Sequence, residues 1–151
     1  MAKTALSTVT NVICEEEGWY PTITARCNGV DIYPGSLVTQ TGESNNDIDP
    51  IGAADEIPLG IVGLKEGHDI GTVYSDNESV PVHSIFSGAK VWTHAKANCG
   101  ALVTNAPLIT DGATPGVYLI PGELVNEYVG RSAQNSANDA ANDRPILVWL
   151  V

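Results

Sequence analysis

Pro145-Ile146-Leu147-Val148-Trp149-Leu150-Val151 is apolar at every position, so a strand built from it must be covered on both faces. That predicts a central strand. Ser79-Val80-Pro81-Val82-His83 alternates instead, with the two valines turned to a core and Pro81 and His83 turned outward. Further short apolar runs bounded by Gly or Pro predict strands over Leu59 to Leu64, Thr72 to Ser75, Val80 to Ile85, Val91 to His94, Tyr128 to Ala133 and Ile146 to Val151. Two dipeptides predict hairpins, because a tight turn needs positive φ at its centre. Asn28-Gly29 would join Thr22–Cys27 to Val30–Tyr33, and Asp111-Gly112 would join Ala101–Thr104, extended by Pro107–Ile109, to Val117–Ile120. The total is roughly nine to eleven strands, the number a sandwich or barrel uses.

Composition agrees. The 151 residues fit one domain, and 15 Gly with 9 Pro spread along them leave little room for long helices. The expected fold is all-β: a compact β-barrel or β-tulip-like domain with long polar loops. Gln40 to Glu56 reads as a surface loop. Ser132 to Arg144, a low-complexity polar stretch, reads as a mobile loop or a helical turn. No internal repeat stands out at a fixed period. Residues 1–14 are read as an N-terminal arm or edge strand and 15–151 as a single β domain.

Eighteen acidic residues against seven basic ones give a net charge of −11, which repels phosphate backbones and anionic membrane surfaces. No nucleic acid and no membrane partner is expected. No apolar run approaches a membrane span or a signal peptide, and a protein made in the cytoplasm is the expectation. Cys14, Cys27 and Cys99 are odd in number and far apart, which favours free buried thiols; a Cys14–Cys27 disulfide stays open.

No catalytic pattern emerges. His68, His83 and His94 lack metal-ligand spacing, and Gly67-His68-Asp69 is more simply a turn than a site. No Gly-x-Ser-x-Gly element frames a nucleophile, and the glycines sit in turns instead of a phosphate loop. Paired carboxylates can never be excluded by counting, but three Trp, five Tyr and one Phe are a thin supply for a sugar cleft. The expectation is a protein that is not an enzyme, with no catalytic residue, cofactor or metal. Glu15-Glu16-Glu17 is a charge run, ordinarily a solvated loop or helix end. Trp19 and Tyr20 follow it, either as an exposed interface anchor or as core packing.

The C-terminal two-thirds resembles the small capsid decoration, or cement, proteins of tailed phages and related archaeal viruses. The resemblance rests on Ile57-Pro58-Leu59-Gly60-Ile61-Val62-Gly63, Gly71-Thr72-Val73-Tyr74 with Val80-Pro81-Val82, and Ser87-Gly88-Ala89-Lys90-Val91-Trp92. Gly100-Ala101-Leu102-Val103 follows, then Tyr128-Val129-Gly130-Arg131-Ser132-Ala133 before Ile146-Leu147-Val148-Trp149-Leu150, with Ser132 intervening where the family runs straight to Ala. It implies a structural virion protein on the outer capsid surface that reinforces the major capsid protein lattice, as a homotrimer with an N-terminal arm. The arm, with Thr4, Leu6, Thr8, Val9 and Val12, would pair with an edge of the capsid protein, and Trp19 and Tyr20 are the other interface candidates. The alternative is a carbohydrate- or ligand-binding β-sandwich module of a fibre or surface assembly.

Overall fold

The computed structural model describes residues 22–28, 32–41, 46–51, 56–110, 119–122 and 128–151. Among them are ten strands and no helix: β1 Thr22–Cys27, β2 Leu37–Gln40, β3 Asp47–Pro50, β4 Gly60–Val62, β5 Ser79–Ser84, β6 Lys90–Ala95, β7 Pro107–Thr110, β8 Leu119–Pro121, β9 Tyr128–Ser132 and β10 Arg144–Trp149. The all-β barrel expectation holds. The strands form two closed five-strand barrels, in the orders β1-β3-β2-β4-β5 and β10-β6-β8-β7-β9.

The second barrel repeats the first strand for strand. β1 runs parallel to β3 and β6 parallel to β8, and every other pairing is antiparallel. The backbone bonds repeat as well. The Gly35 amide donates to the Val62 carbonyl and the Val62 amide to the Ser36 carbonyl; the Asn105 amide donates to Ser132 and the Ser132 amide to Ala106. Gly63 donates to Pro81 as Ala133 does to Leu147, and Ser36 to Tyr33 as Ala106 does to Val103. Gly35 and Asn105 both take positive φ, 87° and 70°, where Gly is free and Asn is tolerated. Matching positions lie 66 residues apart at His83 and Trp149 but 71 apart at Pro50 and Pro121. This drift is why the sequence carries no fixed period.

Each barrel closes at a glycine. A Cβ on Gly60 would run into the His83 carbonyl, and one on Gly130 into the Trp149 carbonyl, so β4 and β9 cross their partners at a distance only glycine permits. Inside the first barrel sit Ala25, Cys27, Ile32, Val38, Ile48, Val62, Tyr74, Val80 and Val82. The second cluster joins the barrels: Leu37, Ile51 and Ile61, from the outside of the first, pack with Val91, Leu108, Val129, Ile146, Val148 and Leu150 of the second. At this junction the buried Thr93 hydroxyl donates to the Gly35 carbonyl at 2.9 Å.

Several sequence expectations are corrected. β1 does not pair with the residues after Asn28-Gly29: it takes β3 and β5 as partners and Ile32 and Tyr33 join no strand, while Gly29, Val30 and Asp31 lie outside the described residues. The second hairpin pairs as expected, β7 with β8, though without Ala101–Thr104, where only Leu102 makes an isolated bridge, to Ser136; Asp111-Gly112 lies outside the described residues. The Gln40–Glu56 stretch contains β3, whose Ile48 is fully buried and whose Asp47 takes both Arg26 nitrogens Nε and Nη2 at 2.7 and 2.9 Å. Thr72–Ser75 is no strand: the Tyr74 ring plugs the first barrel, and its hydroxyl donates to the Gly63 carbonyl and accepts from the Lys65 amide. Ser132–Arg144 has no helical turn; it is pinned to residues 97–104. Amides of Ala97, Gly100 and Thr104 donate to Asp143, Asn138 and Asn135, and Arg144 reaches the Gly100 carbonyl at 2.8 Å. Its polar side chains thus replace a strand partner. β10 has neighbours on both sides, as the opening apolar run requires.

Replacing Gly60 or Gly130 by Ala should cost about 1–3 kcal/mol each, with similar losses at the two sites, read from urea midpoints at constant m. His83, facing outward on β5, has its Nδ1 buried without a hydrogen-bond partner, and burial lowers its pKa from 6.5. The unfolded chain therefore takes up the proton first, so stability should be full above pH 6.5 and fall as the pH drops below it. His83→Leu should flatten that limb of the curve of thermal midpoint against pH.

Candidate functional site

The exposed turn between the barrels carries an unexpected residue. Ser84 to Ser87 closes with the Ser87 amide donating to the Ser84 carbonyl, and Phe86 holds φ of 67° at its third position. Such a turn ordinarily places Gly or Asn there. The other non-glycine residues with positive φ among those described are Asn46, Asn77, Asn98 and Asn105, which tolerate it; a bulky ring does not. Phe86 is nevertheless 70% exposed. Its ring stacks on Tyr128 at a centroid distance of 6.0 Å and 20° between planes, and the Tyr128 hydroxyl donates to the Val151 carbonyl at 2.6 Å.

The outside of the second barrel continues this surface. In an antiparallel sheet directly opposed residues share a face. Pro107 opposes Arg131, Arg131 opposes Trp149, and Trp149 opposes Lys90, so the four form one row across β7, β9, β10 and β6. The Lys90 ammonium lies 5.0 Å from the Trp149 ring centroid, within cation–π range. Exposed Arg131 donates from Nη1 to the Asn105 carbonyl at 3.0 Å. The arrangement offers rings, cations and a fixed guanidinium for binding. It assembles no nucleophile with a base.

Of the interface residues chosen from sequence, Thr4, Leu6, Thr8, Val9, Val12, Trp19 and Tyr20 all lie outside the described residues. Phe86 was missed. Its signal was available: the sole Phe of the chain, set among Ser84, Ser87 and Gly88 in a turn. The histidines are not brought together: His68 stacks on Tyr74 and bonds the Thr72 carbonyl, His83 lies outside the first barrel, and His94 is buried on β6. Among the described residues no group of three His, Cys, Asp or Glu side chains is placed to hold a metal ion.

Cys27 and Cys99 are free, Cys27 being buried and Cys99 half-buried, while Cys14 lies outside the described residues. Burial, aided by Glu78 and Asp76, pushes the Cys27 thiol up to about 11. Since the thiolate is the reactive form, Cys27 should resist a disulfide reagent at pH 8 until urea unfolds the chain, and half-buried Cys99 should react ahead of Cys27 in the native protein. Equal native rates for the two, compared through Cys27→Ser and Cys99→Ser, would contradict this. No family model and no curated protein matches the chain.

Proposed function

We propose that this chain is a structural virion protein that binds the outer capsid surface and reinforces the major capsid protein lattice, without a chemical step or a cofactor. The observation that carries the proposal is Phe86, an exposed ring held in a strained turn. Left-handed backbone at a bulky residue costs about 1–2 kcal/mol, and strain kept at a surface points to a surface in use. An aromatic anchor with a second ring behind it suits a protein partner. The net charge of −11 keeps copies apart until they meet a docking surface and disfavours nucleic acid and membrane as partners.

Barrel closure changes how such docking works. Each described strand has a neighbour on both sides, so pairing of open strand edges is not available to the described strands. A homotrimer on the capsid remains part of the proposal, built through side chains. The arm carrying Thr4, Leu6, Thr8, Val9 and Val12 is proposed to add a strand to the capsid protein. A second reading, a carbohydrate-binding module, draws on the same Phe86 and Tyr128 rings as a sugar platform.

The test is co-sedimentation with undecorated capsids of the virus that carries this chain. The parent should pellet with them, and Phe86→Gly should lose about tenfold or more in affinity, as for a hot-spot residue. The variant should stay as stable as the parent, since relieved strain of about 1–2 kcal/mol offsets a lost ring contact of about 0.5–1.5 kcal/mol. No pelleting of the parent, with Phe86-dependent binding on a glycan array, would replace the first reading by the second.

A further inference from the structure

The two barrels differ in their use of one face at two of its positions. In the first, Leu37 opposes Ile61, Ile61 opposes His83 and His83 opposes Thr22, a row across β2, β4, β5 and β1. This matches the row Pro107, Arg131, Trp149 and Lys90 position by position. Leu37 and Ile61 are 2% and 0% exposed because the second barrel packs on them. In the second barrel the same positions face outward: Arg131 is exposed, and Pro107, Trp149 and Lys90 are half-buried. The loop carbonyl beside each row follows suit. Gly35 accepts from Thr93 of the other barrel, whereas Asn105, its counterpart, accepts from Arg131 of its own.

Pro107 and Arg131 thus stand where the first barrel has the apolar contact residues Leu37 and Ile61, and Trp149 and Lys90 stand where it has half-buried His83 and exposed Thr22. Two of the chain's seven basic residues stand in this single row, in a molecule of net charge −11. A cation, a ring and a second cation fit a ligand that brings carboxylates and an aromatic side chain together. The guanidinium has five N–H donors, and the Asn105 carbonyl engages one of its nitrogens, which fixes its plane for a carboxylate. The chain itself contains such a ligand: Glu15-Glu16-Glu17-Gly18-Trp19-Tyr20, just ahead of β1.

We propose that the Pro107–Arg131–Trp149–Lys90 row docks the acidic, aromatic run Glu15–Tyr20 of a second copy of this chain. The row belongs to the second barrel and the run adjoins the first, so the contact is head to tail, and successive copies form a closed ring or an open chain. Charge sets the direction. Two copies at −11 each repel on average, whereas this row and an acidic segment attract. The contact is independent of whether the assembled protein binds a capsid.

Sedimentation velocity across micromolar to millimolar concentration, at low and high salt, tests this with the full chain. The parent should associate with rising concentration, and salt should weaken the association. Arg131→Glu alone, and Glu15→Lys/Glu16→Lys/Glu17→Lys alone, should each weaken it by about tenfold or more. Mixing these two variants should restore assembly, because each then offers the charge the other lacks. Circular dichroism and thermal midpoints near the parent's would show that the variants fold. A parent that stays monomeric throughout would overturn the proposal, as would variants that associate like the parent or whose mixture does not recover. So would a loss of thermal stability in both variants without change of mass, which would place the run on its own chain.

Discussion

Closure of five short strands on themselves is the constraint from which the rest of the architecture follows. Strands of three to six residues bury few side chains each, so no two of them would hold a pair alone. Closing the set gives every described strand two neighbours. Closure demands a tight crossing, and Gly60 and Gly130 supply it against the His83 and Trp149 carbonyls. It also demands a small interior, which Ala25 and Cys27 in one barrel and Thr93 and Ala95 in the other keep narrow beside Val80, Val82, Ile146 and Val148.

So small a barrel is marginal by itself, and the second hydrophobic cluster is the remedy. Leu37, Ile51 and Ile61 look outward from the first barrel, yet they are as buried as its interior because the second barrel covers them. The Thr93 hydroxyl and the Gly35 carbonyl satisfy each other at that junction. The same face on the second barrel faces outward, and its residues changed character accordingly. Arg131 satisfies the Asn105 carbonyl from within the same barrel, where in the first barrel Thr93 of the other barrel does so for Gly35.

The features proposed to act lie where this scaffold departs from its own regularity. Phe86 occupies the turn that joins the two copies, a segment with no counterpart inside either barrel. Its ring leans on Tyr128, which is tied in turn to the Val151 carbonyl, so the exposed aromatic surface rests on β9 and β10. A rigid support of this kind lowers the entropy lost when a partner docks.

How much could be read in advance divides along a physical line. β5, β6, β9 and β10 were legible because their apolar residues follow strand periodicity within a few positions, and β7 with β8 because they are neighbours in sequence. β3 was not, since Asp47-Ile48-Asp49-Pro50 carries one buried apolar side chain among polar ones, and only the enclosing barrel makes Ile48 a core residue. The Asn28-Gly29 turn misled because partner choice for β1 is made by β5, some fifty residues away, and not by local turn chemistry. An acidic, helix-poor, strand-rich chain follows from the residues alone, since charge and periodicity are local sums over them. The two matched barrels, and the row shared by Lys90, Arg131 and Trp149, emerge from the folded arrangement, because register between distant strands is set by closure and burial and leaves no local mark.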